Sequence, residues 1–265
     1  MKEPEPMKIV VPVKHVADPD SRWRYLDDLT VDREALEGRL SELDEYAVEQ
    51  AVCLVENGLP ATVTFLTMGP ASAVDGLRKA LAMGGDDAVH VVDDALRGSD
   101  ALSTSLVLAR AIERIGFDLV LCGMSSTDAE MSVVPAMLAD RLGVPQMTFA
   151  NEVRVQDGVV DGVRAGDGSH DDVSASLPLV ASVTDKSGEP RYPAFKAIMA
   201  GRKKPVTTWS LADLGVDPQQ VGQAGAASVV RSAAPNPPRP PGVVVVDDGE
   251  GAARIADYLV EHNLV

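Results

Sequence analysis

The sequence predicts an α/β protein built on a mostly parallel, doubly wound sheet, with an antiparallel ribbon added late and an extended C-terminal tail. Three observations carry this. Short apolar runs, the kind that form strands buried on both faces, alternate with segments whose apolar residues recur every three or four positions. After Gly143 the pattern changes to short alternating segments separated by glycine-containing turns. From Gln219 to Gly242 the chain is rich in Ala, Pro and Gln and reads as an extended linker.

Taken in order, Ile9 to Val13 is the first strand. The polar, irregular stretch KHVADPDSRWRYLDD follows it, long enough to suggest a functional or partner-facing loop. Trp23 and Tyr25 in that stretch fit either partner contacts or packing against the body. Ser41-Glu-Leu-Asp44 opens a helix, Glu45 to Glu56, that Asn57-Gly58 closes. Ala61 to Met68 is the second strand, and the helix from Ala71 to Met83 stops at Gly84-Gly85. Ala88 to Val92 is the third strand, and Ser99-Asp100 cap a helix that runs through Ile115. Repeated β-α-β with buried strands implies parallel pairing and right-handed crossovers.

The stretch FDLVLCGMSSTDAEMSVVPAM, Phe117 to Met137, is the most informative. Leu119 to Cys122 reads as a buried strand that stops at Gly123. Ser125, Ser126 and Thr127 then lead to Asp128, and from Ala129 the spacing of Met131, Val134, Met137 and Leu138 is helical. Two readings fit. A strand, a small polar loop and a helix start form a place where orphan N–H groups and a positive dipole end hold a phosphate. The same residues also describe an ordinary turn with Asp128 as the helix N-cap.

Downstream, Asn151 to Val155, Val159 to Arg164 and Val173 to Leu177 are separated by Asp157-Gly158 and Gly166-Asp-Gly168, which makes an antiparallel ribbon. Leu179 to Val183 is another buried strand. In GEPRYPAFKAIMAGRKKP, Pro190, Pro193 and Pro205 bracket a loop presenting Phe195, Ile198 and Met199, ringed by Lys196, Arg202, Lys203 and Lys204. Apolar residues with a basic rim suit a protein-contact loop; a short helix folded onto its own body fits as well. Glu250 to Leu264 is a short terminal helix that suits docking on this body or on a partner.

Composition narrows the function. A net charge of −16 argues against a nucleic-acid surface, which needs a basic footprint. Cys53 and Cys122 lie inside apolar patterns and read as core thiols of a reducing compartment. No apolar run reaches membrane-spanning length, so direct membrane insertion is not expected. The start, MKEPEPMKIV, lacks the apolar centre of a signal peptide, which points to the cytoplasm, and residues 1–6 look like an extension ahead of Met7. His15, His90, His170 and His262 show no ligand spacing, and no Ser, Cys or Lys carries a nucleophile motif. KHVADP stands where a glycine-rich pyrophosphate loop would follow the first strand, so hydrolysis and adenylation are not expected and the chain does not read as an enzyme. A stand-alone adenine-nucleotide sensor would share the sheet, but offers no reason for the Arg-Lys-Lys loop or the long tail.

Seven ordered blocks carry a family resemblance: VPVKHV, DEYAVEQAV, MGPASAVDGLRKALAMGGDDAVHV, DLVLCGMSSTD, VPQMTFA, the segment from Arg164 to Pro178, and EPRYPAFKAIMAGRKKP. From Met7 to Asp217 the chain resembles the β subunit of electron-transfer flavoprotein. The resemblance implies a Rossmann-like body and a heterodimer with an α subunit that holds most of the catalytic FAD. It implies that this chain walls the flavin and buries a structural AMP. Such heterodimers carry electrons from acyl-CoA dehydrogenases of fatty acid β-oxidation and other flavin dehydrogenases to acceptors that include a membrane quinone oxidoreductase. In bifurcating-type members the β-subunit nucleotide is a second FAD. The implied parts are a nucleotide-binding domain with its ribbon at 7–187, a recognition loop at 188–204, and a linker and partner-contacting arm at 205–265.

Carried over by position, the nucleotide site falls on Pro12, on Ser41, Glu42, Leu43 and Asp44, and on Met68. It continues along Gly123, Met124, Ser125, Ser126, Thr127, Asp128, Ala129, Glu130, Met131, Ser132, Val133 and Val134. Dehydrogenase recognition falls on Arg191, Tyr192, Phe195, Lys196, Ile198 and Met199. Ser132, Val133 and Val134 replace an amide-rich helix start common in the family, which shifts phosphate binding toward backbone N–H groups. Pro19 stands where some members place a flavin-facing tyrosine, and Gly166 and His170 stand where apolar residues are common.

Overall fold

A computed structural model describes residues 5–265 except 19, 20, 22, 34, 167, 235, 236, 240, 241 and 243. Pro19, which stands where some family members place a flavin-facing tyrosine, and most of the N-terminal extension therefore lie outside the described residues. The chain divides into two compact units, 1–231 and 232–265.

The first unit opens with strand β1 (Met7–Pro12), a small antiparallel pair β2 (His15–Ala17) and β3 (Gly38–Leu40), and helix α1 (Glu42–Glu56). Strand β4 (Ala61–Met68), helix α2 (Val74–Met83), strand β5 (Asp87–Val91), helix α3 (Ala101–Ile115), strand β6 (Leu119–Gly123) and helix α4 (Val134–Leu142) follow. Then come β7 (Gln146–Gln156), β8 (Val159–Gly166), β9 (Ser169–Ser176) and β10 (Leu179–Val183), helix α5 (Phe195–Gly201), strand β11 (Val206–Trp209) and the single turn α6 (Gly222–Gly225). One nine-stranded sheet results, in the order β11-β5-β4-β1-β6-β10-β7-β8-β9. Pairing is parallel from β11 to β7 and antiparallel in β7-β8-β9.

Alternation along each strand feeds two cores. Ile9 and Val11 point to the face covered by α1 and α2, where they join Val48, Phe65, Leu77 and Leu121. Val10 points to the opposite face and joins Leu66, Val107, Ile112, Val120 and Leu138 from β4, α3, β6 and α4. Helices on both faces make the sheet doubly wound, as expected. Strand order reverses at β1: the chain steps outward through β4 and β5, then returns through β6 on the other side. That reversal leaves a crevice beyond the carboxyl ends of β1 and β6, the place where open α/β sheets bind ligands. Asp100 caps α3 by accepting the Ser103 N–H at 3.0 Å. Its other oxygen accepts the N–H groups of Ala227 and Ser228 at 2.8 and 3.1 Å.

Several expected boundaries move. Helix α1 begins at Glu42, three residues before Glu45, because Ser41 already stands in the N-cap position. The segment from Ala129 does not turn helical until Val134, because Glu130 and Ser132 take φ of 51° and 56°, which no right-handed helix contains. Strand β7 starts at Gln146, five residues before Asn151, so the ribbon is a continuation of the main sheet. The segment expected to be linker and arm from residue 205 instead supplies edge strand β11. Leu211, Val216 and Val221 beyond it are buried in the second core. Four strand residues after a proline are too few to show a period, which is why β11 escaped the pattern.

In the second unit, residues 244–250 form no helix or strand, and α7 (Gly251–Glu261) is an amphipathic helix that leaves Ile255, Tyr258 and Val260 exposed.

Phe65, the largest fully buried side chain, sits on central strand β4. Phe65→Ala is expected to cost about 3–5 kcal/mol and to lower the melting temperature of the purified protein by on the order of 10 °C, read by scanning calorimetry.

Candidate functional site

The carboxyl ends of β1 and β6 are tied together through the start of α1. As β1 ends after Pro12, the Lys14 N–H donates to Asp44 Oδ2 at 2.8 Å and the Lys14 carbonyl accepts the Ser41 N–H at 2.9 Å. Gly123, the last residue of β6, lies directly against this turn. A Cβ on it would fall 2.6 Å from both Asp44 Oδ1 and the Leu43 carbonyl oxygen, a distance no side chain tolerates. Asp44 is buried, and desolvation pushes its carboxyl up to about 7 although the N–H and the charge of Lys14 pull the other way.

The loop after Gly123 is held by charge. Lys14 Nζ donates to Asp128 Oδ1 at 2.6 Å and to Ser126 Oγ at 3.3 Å. An Arg33 Nη donates to Asp128 Oδ2 at 2.9 Å. The Thr127 N–H donates to Ser41 Oγ at 3.3 Å. Asp128 is therefore not a helix cap: it lies six residues before α4 and bridges two cations. Burial alone would raise its pKa, but the charges and hydrogen bonds of Lys14 and Arg33 outweigh that and hold it at about 2.

Beyond Asp128 the positive φ of Glu130 and Ser132 alternates with the ordinary backbone of their neighbours. Alternation of this kind turns successive N–H groups toward one side, the geometry of an anion-binding nest. Among the described residues, the N–H groups of Met131, Ser132, Val133 and Val134 have no acceptor in the chain. The buried Ser125 Oγ likewise has no partner.

Most of the residues anticipated from the sequence meet here. Pro12, Ser41, Leu43, Asp44, Gly123, Ser126, Thr127 and Asp128 belong to the linked turns, and Met68 ends β4, the strand beside β1. Met124 is half-buried, Ala129, Glu130 and Met131 are exposed on the rim, and Val133 and Val134 begin α4. Glu42 is exposed and pairs with Arg39 at 3.1 Å. Two residues of this cluster escaped the sequence reading. Lys14 follows a strand end and was readable as a cation at the sheet edge. Arg33 lies in an irregular segment that carries no periodic signal.

A second surface lies on the 188–204 segment. Tyr192 and Phe195 are 97% and 79% exposed, Lys196 and Met199 are exposed, and Ile198 is half-buried. The short-helix reading describes the structure: α5 packs on α2 and leaves large apolar residues outward, the surface on which the protein-contact reading rests. Arg191 departs from the expectation: its guanidinium turns inward to Glu49 and Glu56 on α1. Lys204 is also withdrawn from the basic rim, its Nζ donating to the carbonyls of Leu81 and Gly84 at 3.0 and 2.9 Å.

Among the described residues no three His, Cys, Asp or Glu side chains are grouped to hold a metal, and no helix is long and apolar enough to cross a membrane. Residues 28–214 match the family model described as the electron transfer flavoprotein domain. The chain is 43% identical over 263 residues to the electron transfer flavoprotein subunit beta of Mycobacterium tuberculosis, covering 97% of this chain and 99% of that protein. It is 31% identical over 264 residues to the subunit beta of Megasphaera elsdenii, covering 96% and 97%. It is also 31% identical over 233 residues to the caffeyl-CoA reductase-Etf complex subunit CarD of Acetobacterium woodii, covering 86% and 88%.

Asp128 supplies a pH test of the charged bridge. A carboxyl whose folded pKa is depressed contributes stability above its unfolded value of 3.8 and loses it as pH falls through the folded value of about 2. Asp128→Asn is therefore expected to be about 2 kcal/mol less stable than the native protein at pH 7, with the gap closing between pH 4 and pH 2. Urea denaturation across that range measures it.

Proposed function

This chain belongs to the electron transfer flavoprotein family as a β subunit, and on that premise we propose that it binds a structural AMP and docks flavin dehydrogenases for a heterodimer whose FAD lies mainly in the α subunit. A β subunit is an electron-transfer component and not a catalytic enzyme. Within the heterodimer the FAD supplies the electron carriage. The donors in this reading are acyl-CoA dehydrogenases and related flavin dehydrogenases, the acceptors include a membrane quinone oxidoreductase, and the compartment is the cytoplasm.

The observation that supports the AMP reading is the composition of the crevice beyond β1 and β6. Among the described residues, four N–H groups without acceptors, at residues 131–134, follow closely in the chain on Asp128, which pairs with the cations Lys14 and Arg33. Such donors suit a phosphate, and they do not depend on the side-chain amides that Ser132, Val133 and Val134 lack. The partnerless hydroxyl of Ser125 is a further donor to the ligand, while Pro12, Leu43 and Met68 offer apolar surface for a base. Asp128 orders Lys14 and Arg33, and Gly123 lets the strand end pass under the α1 turn. The likeness to a subunit of a caffeyl-CoA reductase-Etf complex supports a second reading, in which the same crevice carries a second FAD. The family match favours a subunit over a stand-alone adenine-nucleotide sensor.

The AMP reading predicts one FAD and one AMP in the purified heterodimer, counted by absorbance and by chromatography of the acid extract; two FAD and no AMP would establish the second reading. Gly123→Val is expected to expel the nucleotide by pushing Leu43 and Asp44 aside. The heterodimer then loses ligand-linked stability of roughly 3–4 kcal/mol if AMP is present at 100 to 1,000 times its Kd. Unchanged AMP in that variant would place the nucleotide elsewhere.

The docking reading is supported by Tyr192 and Phe195, which are costly to expose without a partner. Burying Phe195 at a contact is worth roughly 2–3 kcal/mol, so Phe195→Ala is expected to weaken dehydrogenase binding by about 30- to 150-fold. Flavin, AMP and melting temperature stay unchanged. Electron-transfer rate at limiting heterodimer concentration measures the loss.

A further inference from the structure

We propose that Arg191 is a positioning residue for docking: its guanidinium, forked across Glu49 and Glu56 of α1, holds the stretch from Tyr192 to Met199 in the orientation a dehydrogenase meets. The inference rests on the reading of that stretch as the docking surface.

Helix α5 has only seven residues, no side-chain N-cap and no acidic residue in its first turn. A helix so short is not stable by itself in water, so its geometry must come from outside. Both ends of the segment provide it. At the start, the Arg191 backbone N–H donates to Glu49 Oε2 at 3.0 Å, and the guanidinium donates from Nε to Glu49 Oε2 at 2.8 Å and from Nη2 to Glu49 Oε1 at 2.9 Å. The same guanidinium reaches Glu56, from Nη1 to Oε1 at 2.6 Å and from Nη2 to Oε2 at 2.8 Å. Gln50 Nε2 adds a bond to the Ser187 carbonyl at 2.6 Å. At the far end, an Arg78 Nη donates to the carbonyls of Gly201 and Lys204 at 3.2 and 2.8 Å, and Lys204 caps the end of α2. A Cβ on Gly201 would fall 2.7 Å from the Ala82 nitrogen, so α5 is pressed onto α2 there.

Between these anchors, no hydrogen bond or ion pair among the described residues restrains the side chains of Tyr192 and Phe195, which are 97% and 79% exposed. Two exposed rings on a loose segment would fold onto the nearest apolar surface; a segment fixed at both ends keeps them outward. Ordering the loop in advance removes an entropy cost from docking. The chemistry of the clamp selects Arg. Two carboxylates one α-helical stretch apart need a planar donor that serves both at once, and a lysine ammonium serves only one with such geometry. Glu49 is 8% exposed, so its charge requires that partner. Burial would raise the Glu49 carboxyl, but the hydrogen bonds of Arg191 outweigh it and lower the pKa, so the clamp stays ionised at neutral pH.

The test uses the intact heterodimer and a purified acyl-CoA dehydrogenase reduced by its acyl-CoA substrate. Arg191→Gln is combined with Glu49→Gln so that no buried carboxylate is stranded, and Arg191→Lys keeps the charge but not the fork. Both are expected to raise the KM for the dehydrogenase by about tenfold while kcat, flavin and AMP contents hold. Adding Phe195→Ala to either variant is expected to give no more than Phe195→Ala alone, because Arg191 acts by positioning the surface that Phe195 anchors. If Phe195→Ala raises KM but the Arg191 variants do not, or if the two effects multiply, the positioning role is overturned and the docking reading stands. If Phe195→Ala leaves KM unchanged, the docking reading falls and the inference falls with it. If the double-glutamine variant does not fold, Arg191→Lys decides by the same criteria.

Discussion

The carboxyl edge of β1 and β6 depends on one close approach. Gly123 at the end of β6 lies against the Leu43 carbonyl and the Asp44 carboxyl, with no room for a side chain between them. Because Asp44 also accepts the Lys14 N–H, that contact joins the exit of β1, the start of α1 and the end of β6 into one unit. The loop that follows inherits its position from this unit. Lys14 can reach Asp128 only because its backbone is held there, and Asp128 in turn fixes where the strained residues Glu130 and Ser132 begin. The cost is a buried carboxyl: desolvation pushes the Asp44 pKa up to about 7 against the N–H and charge of Lys14.

The sheet was legible because its determinants are local. Runs such as Ile9 to Val13 and Leu119 to Cys122 are apolar on both faces, and the intervening segments carry a helical period, so element type and parallel pairing follow directly. The candidate site was anticipated from the small polar residues after Gly123 and from the family resemblance, whereas the strand-order reversal at β1 beside them is a long-range feature that only the structure displays. What was not legible depended on contacts distant in sequence. Arg33 reaches Asp128 across 95 positions, and Arg191 reaches Glu56 across 135. Neither has a periodic signal, and a resemblance can place Arg191 in a recognition segment without revealing which way it faces. The helix expected from Ala129 failed for a different reason, since Met131 and Val134 have helical spacing while the backbone between them is turned by two positive φ values.

The crevice and the 188–204 segment are built on opposite physical strategies. The crevice gathers backbone donors and cations, a set suited to holding an anion by charge and hydrogen bonding. The 188–204 segment turns Arg191 and Lys204 inward, onto α1 and α2, and leaves its aromatic rings outward beside the exposed Lys196, Arg202 and Lys203. Helix α1 serves both: its first turn lines the crevice through Asp44, and its later turns hold Arg191 through Glu49 and Glu56.

The nine-stranded sheet also has two open margins, β11 and β9. An unpaired strand offers a row of free backbone groups to any other chain, and a flat apolar one invites growth into fibrils. Here β11 is only four residues long, and the ring of its Trp209 lies under the Arg114 guanidinium. Strand β9 is longer but reads Ser-His-Asp-Asp-Val-Ser-Ala-Ser, with Asp171 and Asp172 exposed. A second β9 brought alongside would set carboxylate against carboxylate and offer little apolar surface in return. The margins of the sheet thus protect a protein with a wide, aliphatic strand interior from self-templated aggregation.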